Sequence, residues 1–198
     1  MLDLIKTRLS NHQPRTIQST LPQAAVLIPV IQTKEPAIIL TRRSPRLSTH
    51  SGEVAFPGGK RDADDSSLEK TALRESFEEI GLCPSSVTLV GEISTVVSLF
   101  GIAVTPFVGL VPEYIDLTPN ADELDRIFTV PLPFLLDQKN LSIARRKGSN
   151  RPFAMPSYQY GEYTIWGLTA IMIVDFLNVT LDANIPFSPP PFEAVKQT

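Results

Sequence analysis

Apolar and polar positions change rhythm several times along this chain, and each rhythm predicts an element. Two runs of branched apolar residues, "AAVLIPVIQ" (24–32) and "AIILTRR" (37–43), flank the turn-like "TKEP" and predict two strands. A polar loop, "SPRLSTHSGE" (44–53), leads to "FPGG" and a second loop, "KRDADDSS". The period then lengthens: Leu68, Ala72, Leu73, Phe77 and Ile80 recur at helical spacing. Ser66 and Glu69 have the spacing of a capping box, Gly81 suits the left-handed stop, and Pro84 lies just beyond. A helix over 67–80 follows. "VTLVGEISTVVS" (87–98) and "AVTPFVGLV" (103–111) predict strands, and "NADELDRIFTVPLPFLL" predicts a polar turn, a short strand around 126–130 and a helical turn after Pro131. "YTIW" (163–166) predicts a strand and "GLTAIMIVDFLNVTL" (167–181) a largely buried helix. Strands before, between and after two helices predict an α/β sandwich with a mixed sheet.

Composition narrows the class. The 198 residues suit one domain, with 1–22 as an N-terminal helix and linker, 23–185 as the domain and 186–198 as a Pro-rich tail. The net charge of −3 disfavours nucleic acid or an anionic membrane as a partner. Cys83 is the single cysteine, which excludes an internal disulfide and a thiolate cage, and is expected as a small apolar residue behind the helix. The mixed N-terminus "MLDLIKTRLSNHQPRT" lacks the apolar core of a secretory signal, and "TIWGLTAIMIV" is short for a membrane span. A cytoplasmic setting is the expectation.

The helix carries the candidate chemistry. Glu75, Glu78 and Glu79 stand at i, i+3 and i+4, so three carboxylates share a face and repel one another unless something compensates. A solvated acidic face is the simple alternative. Gly58 and Gly59 just upstream allow close backbone approach, and hard oxygen donors at this spacing suit Mg²⁺ or Mn²⁺. Arg74 is placed to pair with Glu78 one turn on.

The segment "GGKRDADDSSLEKTALRESFEEIGL" resembles the Nudix box, G-x5-E-x7-R-E-U-x-E-E-x-G-U with U apolar, and matches it at Arg74, Glu75, Glu78, Glu79, Gly81 and Leu82. Three departures stand out: the glycine-to-arginine spacing is one residue longer, Ser66 occupies the place eight before Arg74 where glutamate is usual, and Ser76 takes the first apolar place. Upstream, "ILTRRSPRLSTHSGEVAFPGG" (39–59) resembles the signature L-L-T-x-R-S-x3-R-x3-G-x3-F-P-G-G of the coenzyme A pyrophosphatase branch of that family. It matches at Leu40, Thr41, Arg43, Ser44, Gly52, Phe56, Pro57, Gly58 and Gly59, with Ser48 where the second arginine would stand. "YTIWGLTA" (163–170) resembles the same branch.

The resemblance implies a Nudix-type α/β/α sandwich and a metal-dependent pyrophosphohydrolase. Its expected metal ligands are Glu75, Glu78, Glu79 and the Gly58 carbonyl, and Arg74, Glu79 and Glu123 form its catalytic set. Glu79 and Glu123 both stand as candidate bases; Asp122 and Asp125 compete with Glu123. Arg42, Arg43, Arg46, His50 and Gly59 are the expected substrate contacts, with solvated loop charge as the alternative for the arginines and a loop hydrogen bond for His50. Trp166 and Tyr163 are expected in the core at a strand-to-helix junction, with stacking on a base as the alternative. The implied partner is a small nucleotide, with coenzyme A or acyl-CoA favoured. ADP-ribose, NADH, a nucleoside triphosphate and a non-hydrolysing phosphate sensor are the alternatives. A homodimer is left open.

Overall fold

The computed structural model describes residues 1–17, 20–46, 52–147 and 152–186, with the backbone alone at 146–147 and 152–153. Ser48 and His50 lie outside the described residues, as does 187–198 of the expected tail. In chain order the elements are α1 (Leu2–Asn11), β1 (Gln23–Ile31), β2 (Ala37–Arg43), β3 (Val54–Ala55), β4 (Gly58–Lys60), α2 (Leu68–Ile80), β5 (Thr88–Glu92) and β6 (Val96–Val97). There follow β7 (Ala103–Val111), β8 (Leu124–Pro131), α3 (Leu132–Leu136), β9 (Leu141–Lys147), β10 (Pro152–Tyr160), β11 (Tyr163–Ile165) and α4 (Gly167–Leu181).

Among the described residues, eight strands form one mixed sheet in the order β3-β2-β1-β7-β5, with β4 on β1, β6 on β7 and β8 on β2. The nine-residue β1 runs parallel to β7 from Gln23↔Ala103 to Ile31↔Val111. On its other edge β1 changes antiparallel partner, from β4 at Ala24–Val26 to β2 at Val30–Ile31. The chain between β3 and β4 therefore enters where β1 and β2 diverge, and Leu27 N–H donates to Pro57 O at 2.9 Å.

Side chains alternate across β1 as a two-sided buried strand requires. Ala25 and Leu27 pack with Ile39, Ala72, Ile80 and Phe107 on the α2 face. Ala24, Ile28 and Val30 pack with Phe176, Ile173 and α1's Ile5 on the α4 face. Two helical layers thus cover the sheet, as expected of an α/β/α sandwich. A second sheet, β11-β10-β9, adds to the α4 side; β11 is the strand expected at 163–166, whereas β9 and β10 were not anticipated. β9 ends in a run of three basic residues and β10 carries two prolines, so neither shows the clean alternation that reveals a strand. No helix among the described residues is long and apolar enough to cross a membrane.

The α2 face differs from its expected stripe. Thr71, Ala72, Ser76, Glu79 and Ile80 are buried, whereas Phe77 is 54% exposed. Small residues face inward because α2 packs on β1 and on the glycines of β4. Ser76 stands fully buried in a place the family pattern makes apolar; its hydroxyl donates to Ala72 O at 2.7 Å, which satisfies it within the helix. The N-cap is Ser67, whose Oγ accepts from Lys70 N–H at 3.3 Å, one residue later than the Ser66 box suggested. Cys83 is exposed, not tucked behind the helix. Trp166 is 50% exposed, which overturns its expected core placement.

Candidate active site

Three chain segments meet at α2. The first is the Phe56–Gly59 turn into β4. An added Cβ at Gly58 would strike Ala25 O and Val26 Cα, and at Gly59 it would strike the Glu75 carboxylate. Both positions therefore exclude side chains, one for backbone pairing and one to seat Glu75. Gly58 N–H donates to Glu79 Oε2 at 3.1 Å, so the turn holds two of the three glutamates.

The second segment is the loop before α2. Arg74 Nε and Nη2 donate to Asp65 at 3.1 and 2.9 Å, and Nη2 also donates to Lys60 O at 3.2 Å. Its Nη1 reaches Glu75 at 2.9 Å and, as expected, Glu78 at 3.0 Å. Asp65 is 8% exposed and also accepts from Thr71 Oγ1 at 2.9 Å and Asp62 N–H at 3.0 Å. Hydrogen bonds from Arg74 hold the Asp65 carboxyl well below the usual range despite its burial, and the same contacts raise Arg74. Asp65 was missed at the sequence level. Counting back from Arg74 lands on Ser66, whereas counting forward from Gly59 lands on Asp65. The extra residue is absorbed after Asp65, so the upstream acid is present and shorter, not lost.

The third segment is the turn before β8. Thr118 and Asn120 donate backbone N–H groups to Ile80 O and Glu79 O at 3.0 and 2.8 Å, taking up carbonyls that the end of α2 leaves open. Glu123 follows, fixed by its N–H on Asn120 O (3.0 Å) and by its carbonyl, which accepts from Ser44 N–H at 2.8 Å. Burial pushes Glu79 up to about 7, and the nearby Glu123 and Glu75 charges add to the rise against the Gly58 N–H and Arg43. Burial likewise raises Glu75, against the pull of Arg74.

The expected arginine group divides. Arg42 Nη2 bonds Asp125 at 2.7 Å and its Nη1 bonds Glu162 at 3.2 Å, with the guanidinium 5.4 Å from the Tyr163 ring centroid. Consecutive strand residues face opposite ways. Arg42 therefore follows Ile38 and Leu40 to the α4 face, while Arg43 follows Ile39 to the α2 face. Arg43 Nε is buried and donates to no partner among the described residues, and its charge is felt at Glu79. Arg46 is exposed, with its N–H on Ser44 Oγ at 3.4 Å. Asp122 is exposed and Asp125 is engaged with Arg42.

The carboxylates suit a hard divalent cation in kind. Glu75 and Glu79 are raised by burial, so each ionised form lacks compensation that a cation would provide. Among the described residues no three acidic side chains already converge on one point, because Arg74 spans Glu75 and Glu78 while Glu79 turns to Gly58.

A family pattern described as the NUDIX domain matches residues 21–149. A protein called Uncharacterized Nudix hydrolase NudL from Yersinia enterocolitica is 41% identical over 168 residues, covering 84% of this chain and 85% of that protein. The like-named protein of Citrobacter koseri is 40% identical over 177 residues, covering 87% and 91%. The crystal structure of a MutT/nudix family protein from Enterococcus faecalis shares the fold at a TM-score of 0.56 and 12% identity, covering 92% of this chain and 70% of that one. The chain belongs to the Nudix family and is a hydrolase of that family.

Proposed function

We propose that this Nudix hydrolase cleaves the diphosphate of coenzyme A or an acyl-CoA, yielding 3′,5′-ADP and the corresponding (acyl-)4′-phosphopantetheine. One observation carries the reading. Arg43, a residue of the 39–59 signature, keeps a buried Nε–H with no partner among the described residues, and its charge is felt at Glu79. A buried donor left open on a guanidinium is costly and suits an anionic oxygen.

Glu75, Glu78 and Glu79, with the Gly58 carbonyl, would hold Mg²⁺ or Mn²⁺. Such an ion supplies charge neutralisation at the diphosphate. Arg74, anchored by Asp65, sets the orientation of Glu75 and Glu78. A water attacks one phosphorus, the bridging P–O bond breaks, and the water's proton passes to Glu79 or Glu123. Both carboxylates stand as acceptors, because the cation that Glu79 would hold offsets the burial that raises its carboxyl. Arg43 and Arg46 meet phosphate oxygens, while Gly59 seats the Glu75 carboxylate beside them.

Coenzyme A, ADP-ribose, NADH and dinucleoside polyphosphates are incubated with the protein and Mg²⁺ or Mn²⁺, and products are identified by mass. The 3′-dephospho form of coenzyme A is the control. Coenzyme A is expected to be cleaved at least about tenfold more efficiently than that form, a difference of about 1.4 kcal/mol, within the worth of one charge-assisted bond. Arg43→Ala or Arg46→Ala narrows the ratio. Equal cleavage of both forms, unmoved by either substitution, removes coenzyme A as the substrate.

A further inference from the structure

An open cleft of about 480 Å³ lies at the Lys60 end of β4, where the segment before β1 passes the loop before α2. Thr20 and Leu21 line it from the first segment, and Gln23, Arg61, Asp62 and Ala63 line it from β1 and the loop. Its volume falls within the range of small-molecule sites. Its walls are tied to the sheet. Pro22 O accepts from Ala103 N–H at 2.9 Å, and Arg61 N–H donates to Gln23 O at 3.0 Å, which prolongs the β1–β4 pairing.

The strand β4 orders the α2 groups in a row that ends at this cleft. Gly58 N–H holds Glu79, Gly59 seats Glu75, and Lys60 O accepts from Arg74. Two residues further on, Asp62 Oδ2 stands 3.6 Å from Arg74 Nη2. The charge of Arg43 is felt at Glu79, the other end of the row. Gly58 and Asp62 are four residues apart, so their Cα atoms are separated by at most about 14 Å. A diphosphate held over the carboxylates thus has Arg43 on one side and the cleft on the other.

The chemistry of the cleft differs from that of the Arg43 end. Arg61 commits its guanidinium to Gln23 Oε1 at 2.9 Å and to Asp65 O at 3.1 Å. Asp62 is 69% exposed at its side chain and adds a negative charge, so a further phosphate is disfavoured. No aromatic side chain lines the cleft among the described residues, so it has no platform for a second base. It offers hydrogen-bonding groups set among small apolar ones. The Asp62 carboxylate accepts, the Gln23 amide is held by its oxygen and keeps its N–H₂ to donate, and the Thr20 hydroxyl does either. Leu21 and Ala63 supply apolar contact. An uncharged, flexible chain of amides and methylene groups matches this lining.

We propose that this cleft is the subsite for the pantetheine arm of the substrate, with Thr20, Gln23, Asp62 and Ala63 as its specificity-determining residues. The two halves of the substrate then leave the diphosphate in opposite directions along β4: the nucleotide toward Arg43 and the pantetheine arm toward Asp62. The inference rests on the reading of coenzyme A or an acyl-CoA as the substrate, and adds to it where the second half is held.

Ala63→Phe fills the cleft from the loop and Thr20→Phe fills it from the opposite wall; both positions are exposed, and two walls keep the test open should one variant fail to fold. Initial rates on coenzyme A are measured with Mg²⁺, with 4′-phosphopantetheine or 3′,5′-ADP as the inhibiting product. In each variant KM for coenzyme A is expected to rise about tenfold while kcat stays within about twofold, the pattern of lost binding outside the reacting centre. Inhibition by 4′-phosphopantetheine should weaken about tenfold as well, and inhibition by 3′,5′-ADP should not change. The 3′-dephospho form carries the same arm and should show the same rise in KM. Weaker inhibition by 3′,5′-ADP alone would give the cleft to the nucleotide half and overturn the proposal. A KM for coenzyme A unmoved in both variants overturns the subsite and leaves the coenzyme A reading standing. If the wild-type protein does not cleave coenzyme A at all, that reading falls and the subsite falls with it.

Discussion

Asp65 grips Arg74 with both carboxylate oxygens, at 3.1 Å from Nε and 2.9 Å from Nη2, and so decides where the helix's guanidinium points. The free edge of that guanidinium then spans Glu75 and Glu78. Asp65→Asn is expected to destabilise the protein by about 2 kcal/mol near neutral pH, below the usual cost of breaking a buried pair because Arg74 is partly exposed. The folded Asp65 is held below its ordinary value of 3.8, so its stabilisation is full above that value. It is lost as pH falls further, through the folded value. Urea unfolding at successive pH values should show wild type and variant converging only below 3.8. A gap that stays constant into that acid range would assign the loss to packing.

Glu79 has the opposite sign. Its folded pKa is raised from 4.5 to about 7, so the folded, metal-free protein loses stability as pH rises between those values. Glu79→Gln removes a buried charge. In chelator, at mildly alkaline pH, the variant is expected to be more stable than wild type by about 2 kcal/mol, and the difference should vanish near 4.5. Thermal unfolding reads both. Turnover should nevertheless collapse. A variant no more stable than wild type at alkaline pH would mean that burial does not strain this carboxylate.

Glu78 is the more exposed member of the set, 55% at its side chain, so Glu78→Gln should leave folding intact. Turnover is expected to fall at least about 100-fold, equivalent to about 2.7 kcal/mol of barrier, and chelation of wild type should reproduce the loss. Near-normal activity in the folded variant would return the acidic face to solvent duty.

Glu123 and Asp125 are separated by their partners. Asp125 is committed to Arg42, while Glu123 lies close enough to Glu79 to raise it. Glu123→Gln should therefore lower kcat without changing metal affinity. Asp125→Asn should loosen Arg42 and raise KM instead. A larger loss of kcat in Asp125→Asn would reassign the acid.

The two glycines of the turn should fail differently. Gly59→Ala pushes into the Glu75 carboxylate, the end of a side chain that can move, so activity should drop while Tm changes little. Gly58→Ala meets backbone at Ala25 and Val26 and has a φ of 153°, so Tm should fall as well. Equal Tm losses in the two variants would argue against a seat for Glu75 at Gly59.

Much of this was legible in the chain because the signals are local. The strand at 103–111 and the helix at 167–181 were read to the residue, since continuous apolar runs between glycines and prolines leave few alternatives. The carboxylate face of α2 followed from helical geometry alone, and its Arg74–Glu78 pair from i,i+4 spacing. Tertiary structure decided whatever depends on what a face meets. Ser76 turned inward and Phe77 outward because α2 sits on glycines and on the small residues of β1. Arg42 and Arg43, indistinguishable as neighbouring charges, parted because the pleat of β2 sends them to opposite sides of the sheet. Trp166 left the core because α4 docks on β3 through Thr169 and leaves a cavity at the junction. Asp65 took the upstream acid's place because Arg74 could reach it across the loop, a relation set by distance in space and not by the count of residues along the chain.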